Sequence, residues 1–480
     1  MKEHAEIDPS ESALRQLDPL AELMLLDARP KYPMGFFVEC GVEGNLDRER
    51  LREALNAVAG RHPNATSHVI WRAGRPFWKP TTRPPAFLWD PNATEGDPWR
   101  PFDLTCETGL RLIVFPPRSE GESQKTWKLV LFGHHAVCDG LAACELLGEI
   151  WTYYAARPMP TLIRSEVPAR ESNAKLPPLD SSVEEEKPIA QRLSSVLAEA
   201  LRFLIFFPVA LSRNAITSRN TSQTRELNCD VRDLDAETPA TGSTEAEMKV
   251  QPPYRRVWFT ADQMNALREA AKQRNVTLNT LILSTSMRVF ATWNKEATGS
   301  NGGIRVTMPV SLRHDELRRP AQNQIGYAFL DRSGADCQKG ETLIQTLSEA
   351  SGWIKDSGAA GMFITAIDIL RKIPGLLWLI LRLPVCFSTA VVSNLGDSSR
   401  CLRTDLCNSE GVQIADDAVI THVVGVPPVR PRTAASLGIA RYADKLYLAC
   451  ITDGQTLGPA AAERLLARIH AECLDLAPKS

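Results

Sequence analysis

The octapeptide GHHAVCDG, residues 133–140, lies between two contrasting sequence patterns. Before it, residues 126–132 (TWKLVLF) are rich in β-branched, aromatic and leucine residues, which predicts a strand. After it, residues 141–154 place Leu147, Ile150 and Trp151 on one side of a predicted helix. The octapeptide is therefore expected on a strand-to-helix turn, where reactive side chains and helix N-terminal amides come together.

The chemistry of this turn depends on its two adjacent histidines, His134 and His135. Neighbouring residues of a strand point to opposite faces, so the two are not expected to share one metal or one substrate. Histidine is the usual general base near neutral pH, because its unperturbed pKa is about 6.5. We expect Asp139 to cap the following helix and to anchor the turn through an arginine. Gly140 would allow close approach to the backbone, and nearby amides could hold an oxyanion.

Strand and helix patterns alternate in both halves of the chain, which predicts an α/β (mixed α+β) protein. Residues 165–252 are rich in Pro, Ser, Glu and Thr and predict a connecting segment with one helical block at 188–211. The predicted domains are therefore 1–164, 165–252 and 253–480. The predicted strands are 36–44, 67–71, 110–115, 126–132, 256–260, 303–310, 388–395, 418–424, 435–442 and 445–452. The predicted helices are 46–60, 141–154, 261–273, 277–293 and 459–476, with further helical stretches within 342–383.

Charge and cysteine content exclude several classes of protein. The 480 residues include 55 Lys and Arg against 57 Asp and Glu, a formal net charge of −2, which argues against a dedicated nucleic-acid-binding protein. The 11 cysteines include no CxxC pair, which argues against a zinc ribbon or disulfide framework and favours reduced thiols. The N-terminus resembles no signal peptide, and no apolar run reaches membrane-spanning length. We expect a cytoplasmic protein without a bound metal.

Two apolar blocks, residues 201–211 and 373–383, remain ambiguous. Arg202 and Arg213 flank the first block, and Arg371, Lys372 and Arg382 lie around the second. Both blocks are compatible with core helices, with the wall of an acyl-chain tunnel, or with a peripheral membrane contact. Their basic flanks favour a lipid-like donor or acceptor.

Several motifs give the chain a family resemblance. HHAVCDG resembles the HHxxxDG motif of a superfamily that includes chloramphenicol acetyltransferase, nonribosomal-peptide condensation domains, polyketide-associated acyltransferases and wax-ester synthases. The RHP turn at residues 61–63 is similar to the lead-in of that motif. The segments PVSLR (309–313), NQIG (323–326) and SNLG (393–396) resemble later motifs of the same families.

The resemblance implies a fold, an activity and roles for particular residues. It implies two chloramphenicol-acetyltransferase-like domains that form a V around a central channel, and transfer of an acyl group from a thioester to a hydroxyl or amine. His135 would be the catalytic base. His134, Asp139, Gly140 and Arg313 would support it, with Asp139 paired to Arg313.

The resemblance also implies the substrates. Ser393 and Asn394 would bind substrate, and acyl-CoA or an acyl carrier protein would be the co-substrate, with no permanently bound cofactor. By analogy we expect a monomer, because two fused domains can form the cleft that separate subunits form in chloramphenicol acetyltransferase. Two alternatives remain: a non-catalytic condensation-fold protein that binds a partner or lipid, and a stand-alone peptide condensation domain that would need a carrier protein as partner.

Overall fold

A computed structural model describes residues 14–93, 96–117, 126–162, 251–299, 302–313 and 317–477. The predicted helical block at 188–211 lies outside the described residues. By their contacts the described residues form two compact units. The first consists of the described parts of Met1–Ile163 together with Leu317–Asn323 and Ser399–Val423. The second consists of those of Arg164–Glu316, Gln324–Ser398 and Val424–Ser480.

The predicted boundaries 1–164, 165–252 and 253–480 stay a prediction. The sequence pattern did not indicate that residues 317–323 and 399–423 belong with the first part of the chain. Local periodicity reports on neighbours along the chain, whereas these segments contact residues far away in sequence.

The elements are as follows. The strands are β1 (Arg15–Gln16), β2 (Gly35–Glu43), β3 (Ser67–Arg72), β4 (Arg75–Pro80), β5 (Ala86–Trp89), β6 (Leu110–Phe115), β7 (Thr126–His134), β8 (Tyr254–Phe259), β9 (Gly303–Ser311), β10 (Ile325–Ser333), β11 (Ala390–Asp397), β12 (Ile414–Ala415), β13 (Ala418–Val426), β14 (Ala435–Tyr442) and β15 (Lys445–Thr452). The helices are α1 (Pro19–Asp27), α2 (Arg48–Ala59), α3 (Gly140–Tyr154), α4 (Ala261–Gln273), α5 (Leu278–Thr298), α6 (Glu341–Ser357), α7 (Ala359–Lys372), α8 (Leu376–Arg382), α9 (Ser398–Cys401) and α10 (Pro459–Leu476).

The first six-stranded sheet has the order β12-β13-β2-β7-β6-β5 and carries the octapeptide. Its central strand β7 runs antiparallel to β2 and β6, and its last residue, His134, pairs with Gly35. Helix α3 begins at Gly140, immediately after the turn. The predicted strand at 126–132 and helix at 141–154 are thus confirmed, and the strand continues through the first histidine of the motif.

The second six-stranded sheet has the order β10-β9-β11-β14-β15-β8, with β11 parallel to both of its neighbours. Helices α5 and α10 supply much of the apolar core on this sheet. The predicted helices at 261–273 and 459–476 and the strands at 435–442 and 445–452 are confirmed to the residue. Strand β10 was not predicted as a strand, although burial alternates residue by residue along most of it. The mixed α+β class is confirmed.

Candidate active site

Backbone hydrogen bonds from two other segments hold the turn after β7. The amide of His134 donates to the carbonyl of Gly109 at 2.9 Å, and the amide of His135 donates to the carbonyl of Met34 at 2.9 Å. The turn closes on itself where the amide of Val137 donates to the carbonyl of His134, also at 2.9 Å. The position of both imidazoles is therefore set by the sheet rather than by a free loop.

Asn323 fixes both the backbone and the ring of His135. Its Nδ2 donates to the carbonyl of His135 at 2.8 Å, with a longer contact of 3.4 Å to the carbonyl of Ala136. Carbonyls only accept, so this contact assigns the amide nitrogen to that side and turns Oδ1 toward the ring. Oδ1 lies 3.2 Å from Nδ1 of His135. Because an amide oxygen accepts only, Nδ1 must carry the proton, and Nε2 keeps its lone pair.

The surroundings of His135 favour its neutral form. The residue is 7% exposed, and its ring packs edge-on against Phe36, with ring centres 5.4 Å apart. Burial lowers the pKa of His135, although the carbonyl of the same residue, the charge of Asp139 and the contact with Asn323 oppose this effect. Within the part of the chain that the structure describes, Nε2 makes no hydrogen bond. The ring thus has the protonation state and the free nitrogen that a general base requires.

His134 lies against different residues and shapes the turn. It is 2% exposed, and its Nδ1 accepts a hydrogen bond from the amide of Ala136 at 3.1 Å. Its ring lies edge-on to Phe102. Burial, with a smaller effect from His135, lowers the pKa of His134 to about 3. This ring is therefore neutral at physiological pH and acts as a hydrogen-bond acceptor for the backbone.

Asp139 is the N-cap of α3, as predicted. Its Oδ1 accepts from the amide of Ala142 at 3.0 Å, and its carbonyl accepts from the amide of Ala143 at 3.0 Å. The residue is 1% exposed, so this cap is a buried one. Gly140 is the first residue of the helix and is half-buried.

The RHP turn positions the segment that carries Asn323. Nδ1 of His62 accepts from the amide of Ala321 at 2.9 Å, and its Nε2 lies 3.3 Å from a carboxylate oxygen of Glu149 on α3. The same carboxylate oxygen lies 3.5 Å from Nε of Arg61. His62 and Glu149 are each 2% exposed. Because Ala321 is two residues before Asn323, this buried cluster holds the segment that contacts His135.

Three further supports were not predicted from the sequence. Nδ2 of Asn64 donates to the carbonyl of Val137 at 3.1 Å, and Asn64 in turn accepts from Arg15 at 2.9 Å. A Cβ at Gly109 would lie 2.6 Å from Val137, so only glycine allows this approach. The segment NQIG, which begins with Asn323, was identified by its resemblance to a later family motif. The contact between Asn323 and His135 was not predicted. An asparagine in the segment NQIG carries no local signal that it contacts a distant histidine.

The other predicted site residues belong to the second unit. Arg313 follows β9, and its amide lies 3.3 Å from the hydroxyl of Ser311. Ser393 is half-buried on β11. Nδ2 of the exposed Asn394 donates to Asn279 at 2.8 Å, and its Oδ1 accepts from the amide of Gly396 at 2.7 Å. The pairing of Asp139 with Arg313 and the substrate-binding role of Ser393 and Asn394 stay predictions.

Among the described residues, no three His, Cys, Asp or Glu side chains lie together in a way that could hold a metal ion.

Comparison by sequence finds one partial relative. No family model matches the chain. The nonribosomal peptide synthetase nanA of Aspergillus nanangensis is 26% identical over 137 residues, which is 28% of this chain and 5% of that protein. The chain thus corresponds to only a small part of the length of that synthetase.

Comparison by structure covers nearly the whole chain. The first condensation domain of the calcium-dependent antibiotic (CDA) synthetase matches with a TM-score of 0.60 and 14% identity, over 98% of both chains. The trichothecene 15-O-acetyltransferase of Fusarium sporotrichioides matches with a TM-score of 0.60 and 11% sequence identity, over 98% of this chain and 97% of that one. A starter condensation domain of rhizomide synthetase was solved with C8-CoA and Leu-SNAC. It matches with a TM-score of 0.57 and 13% sequence identity, over 98% of this chain and 96% of that one. At such identities the likeness is one of fold. The chain has the fold of the condensation domains and chloramphenicol-acetyltransferase-like acyltransferases.

Proposed function

We propose that the protein is an acyltransferase that moves an acyl group from a thioester donor to a hydroxyl or amine acceptor, with His135 as general base. The observation that carries this proposal is the contact between Asn323 and Nδ1 of His135, which leaves Nε2 unprotonated. A protein that only binds a partner has no need for an imidazole held in one tautomer.

The reaction follows from that geometry. Nε2 of His135 removes the proton of the acceptor while the acceptor oxygen or nitrogen attacks the thioester carbonyl carbon. The new C–O or C–N bond forms, and the carbonyl electron pair moves to oxygen. Collapse of this tetrahedral oxyanion breaks the C–S bond, and the imidazolium returns its proton to the departing thiolate. The products are an ester or amide and a free thiol.

The start of α3 is the proposed source of oxyanion stabilisation. Asp139 uses the amide of Ala142 for its cap. The amides of Gly140 and Leu141 make no hydrogen bond within the described residues. Helix N-terminal amides favour negative charge, so we assign these two amides to the developing oxyanion.

The other predicted residue roles belong to the same proposal. Arg313 and His134 support the turn, while Ser393 and Asn394 bind substrate. The donor is acyl-CoA or an acyl carrier protein, used as a co-substrate rather than a bound cofactor. The rhizomide starter domain was solved with C8-CoA, which supports a coenzyme A donor by analogy of fold. The acceptor is lipid-like, and the enzyme is cytoplasmic and monomeric.

A thiol-release assay tests this function. The protein is mixed with acyl-CoAs of increasing chain length and a pool of alcohols and amines, and products are identified by mass spectrometry. We expect release that requires an acceptor and that falls by about 10²- to 10⁴-fold in His135→Ala. His68→Ala, a change in a half-buried histidine on β3, is the matched control. A His135→Ala protein as active as the wild type would refute the assignment.

A second function is favoured by the partial match to the synthetase nanA and by the likeness to condensation domains. In this function the acceptor is the amine of an aminoacyl thioester on a carrier protein, and the product is a peptide bond. Amide formation from carrier-bound substrates, without transfer from free acyl-CoA, would support it over the first.

A further inference from the structure

The segment that carries Asn323 has no secondary structure of its own. Residues 317–324 form neither helix nor strand and lie in sequence between the end of β9 at Ser311 and the start of β10 at Ile325. No ladder of backbone hydrogen bonds therefore sets the position of Asn323, so its position depends on contacts with side chains. The amide of Ala321 makes one such contact, a hydrogen bond of 2.9 Å to Nδ1 of His62.

This hydrogen bond fixes the tautomer of His62. A backbone amide only donates, so Nδ1 of His62 must keep its lone pair. The neutral imidazole then carries its proton on Nε2, which faces a carboxylate oxygen of Glu149 at 3.3 Å. Nε of Arg61 lies 3.5 Å from the same oxygen, so the charge of the buried carboxylate is compensated. His62 therefore accepts a hydrogen bond on one side of its ring and donates one on the other.

His62 and His135 are held in opposite tautomers. Nδ1 carries the proton in His135, where it faces Oδ1 of Asn323, whereas Nδ1 of His62 lacks a proton. A proton on Nδ1 of His62 would leave the amide of the buried Ala321 without this acceptor, which is unfavourable inside a protein. The contacts thus form one chain that runs from Glu149 through His62, Ala321 and Asn323 to His135.

We propose that His62 and Glu149 are positioning residues for the acyltransferase reaction. Glu149 keeps the proton of His62 on Nε2, and Nδ1 of His62 keeps the segment of Asn323 against the ring of His135. Both residues act through Asn323 on the tautomer of His135, and neither takes part in the proton transfer itself. Their role in catalysis rests on the proposed function, whereas the tautomers can be measured without it.

Two substitutions of His62 separate its two hydrogen bonds. In His62→Asn the side-chain oxygen can replace Nδ1 and accept from Ala321, but the shorter side chain loses Glu149. In His62→Gln the amide nitrogen can replace Nε2 and donate to Glu149, but no acceptor remains for Ala321. We expect kcat to fall by about 10- to 100-fold in His62→Gln, with a smaller change in KM, and by less than about threefold in His62→Asn. A His62→Gln protein that is more active than His62→Asn would overturn the proposal, because the contact with Glu149 alone would then matter.

A double-mutant cycle shows whether His62 acts through Asn323. In the background of Asn323→Ala, the further change His62→Gln should lower kcat by no more than about twofold, because the contact that it disturbs is already lost. Leu55→Ala, a buried change on the helix that precedes the RHP turn, is the control for a general loss of stability. Its effect on kcat should be small and independent of Asn323. Losses from His62→Gln and Asn323→Ala that simply multiply would contradict the proposed chain of contacts.

The tautomers are measured by nuclear magnetic resonance of the full-length protein with ¹⁵N-labelled histidine. The chain has eight histidines, and His62→Asn and His135→Ala identify the two signals by their loss. We expect the wild type to carry the proton on Nδ1 in His135 and on Nε2 in His62. In His62→Gln the signal of His135 should change to a mixture of both tautomers, and in His62→Asn it should stay as in the wild type. An unchanged signal of His135 in His62→Gln would overturn the proposal.

The same spectra test Glu149 and separate this proposal from the proposed function. Glu149→Gln keeps an oxygen that accepts from Nε2 of His62, whereas Glu149→Met has a similar size and no such acceptor. His62 should keep its proton on Nε2 in Glu149→Gln and show both tautomers in Glu149→Met. The same spectrum in both variants would refute the role of Glu149. A wild type with the expected tautomers that releases no thiol from any donor would instead refute the acyltransferase function, and with it the catalytic role of both residues.

Discussion

The side chain of Asn323 contacts His135 at two points: its Nδ2 donates to the carbonyl oxygen at 2.8 Å, and its Oδ1 accepts from Nδ1 at 3.2 Å. The two contacts together fix the orientation of the amide and the tautomer of the imidazole. A residue 188 positions away in sequence therefore determines which nitrogen of the proposed base is free.

Replacement of Asn323 should act on catalysis through His135. Asn323→Ala removes the acceptor for Nδ1, and we expect kcat to fall by about 10- to 100-fold with a smaller change in KM. Asn323→Asp places a carboxylate on Nδ1, which raises the pKa of His135, so the acid limb of the pH–rate profile should move to higher pH. Asn265→Ala, at an exposed asparagine of α4, is the control. If both Asn323 variants lost the same activity and Asn323→Asp showed no shift in the acid limb of its pH–rate profile, the role of Asn323 would be purely structural.

The effect of the Asp139 charge on the pKa of His135 should be separable from the role of Asp139 as the cap of α3. Asp139→Asn keeps an oxygen for the amide of Ala142 but removes the charge that opposes the lowering of the pKa of His135. The acid limb of kcat/KM should therefore move to lower pH in Asp139→Asn. Asp139→Ala also loses the cap. Its free energy of unfolding, measured by urea titration, should therefore be lower than that of the wild type by about 1 kcal/mol or more. An acid limb of kcat/KM that moves to higher pH in Asp139→Asn would contradict this account.

His134 should make the protein less stable in acid. Its pKa is about 3 in the folded protein, whereas an unfolded imidazole titrates near 6.5. Between these values the unfolded state binds more protons, so the free energy of unfolding should fall as pH decreases from about 6.5 toward about 3. The slope from this group is up to about 1.4 kcal/mol per pH unit. Urea titrations across this range should show a shallower dependence in His134→Asn, which retains an acceptor for the amide of Ala136. If the free energy of unfolding depended on pH in the same way in the wild type and in His134→Asn, His134 would be excluded as the source of that dependence.

Gly148, within α3, should not tolerate a side chain. A Cβ there would lie 1.8 Å from the carbonyl oxygen of Leu402, which is backbone and cannot rotate away. We expect Gly148→Ala to lower the free energy of unfolding by about 2 kcal/mol or more. Gly352→Ala is the matched control, because Gly352 also lies within a helix but has nothing within 4 Å of its Cβ position. It should be neutral or stabilise by up to about 1 kcal/mol. Denaturant unfolding that ranks the two variants in the opposite order would contradict the close approach of α3 to Leu402.

Much of the fold could be predicted because its elements are locally periodic. Strand β7, helix α3 and its cap Asp139 follow from the single stretch of residues 126–154. The mixed α+β class follows from the alternation of strand and helix patterns along the chain. Strand β10 was missed because its sequence, IGYAFLDRS, places polar and apolar residues with an irregular pattern, and only the packing shows which face is buried.

The sequence by itself determined that His134, His135 and Asp139 would meet on a strand-to-helix turn, because hydrophobic periodicity and helix capping act over a few residues. Only the tertiary structure decided that Asn323 would hold the ring of His135 and that His62 and Glu149 would position that segment. It likewise decided which side of α8 would be left exposed. The reason is physical: hydrogen bonds and apolar contacts between distant segments depend on how the elements pack, and no local pattern records that packing.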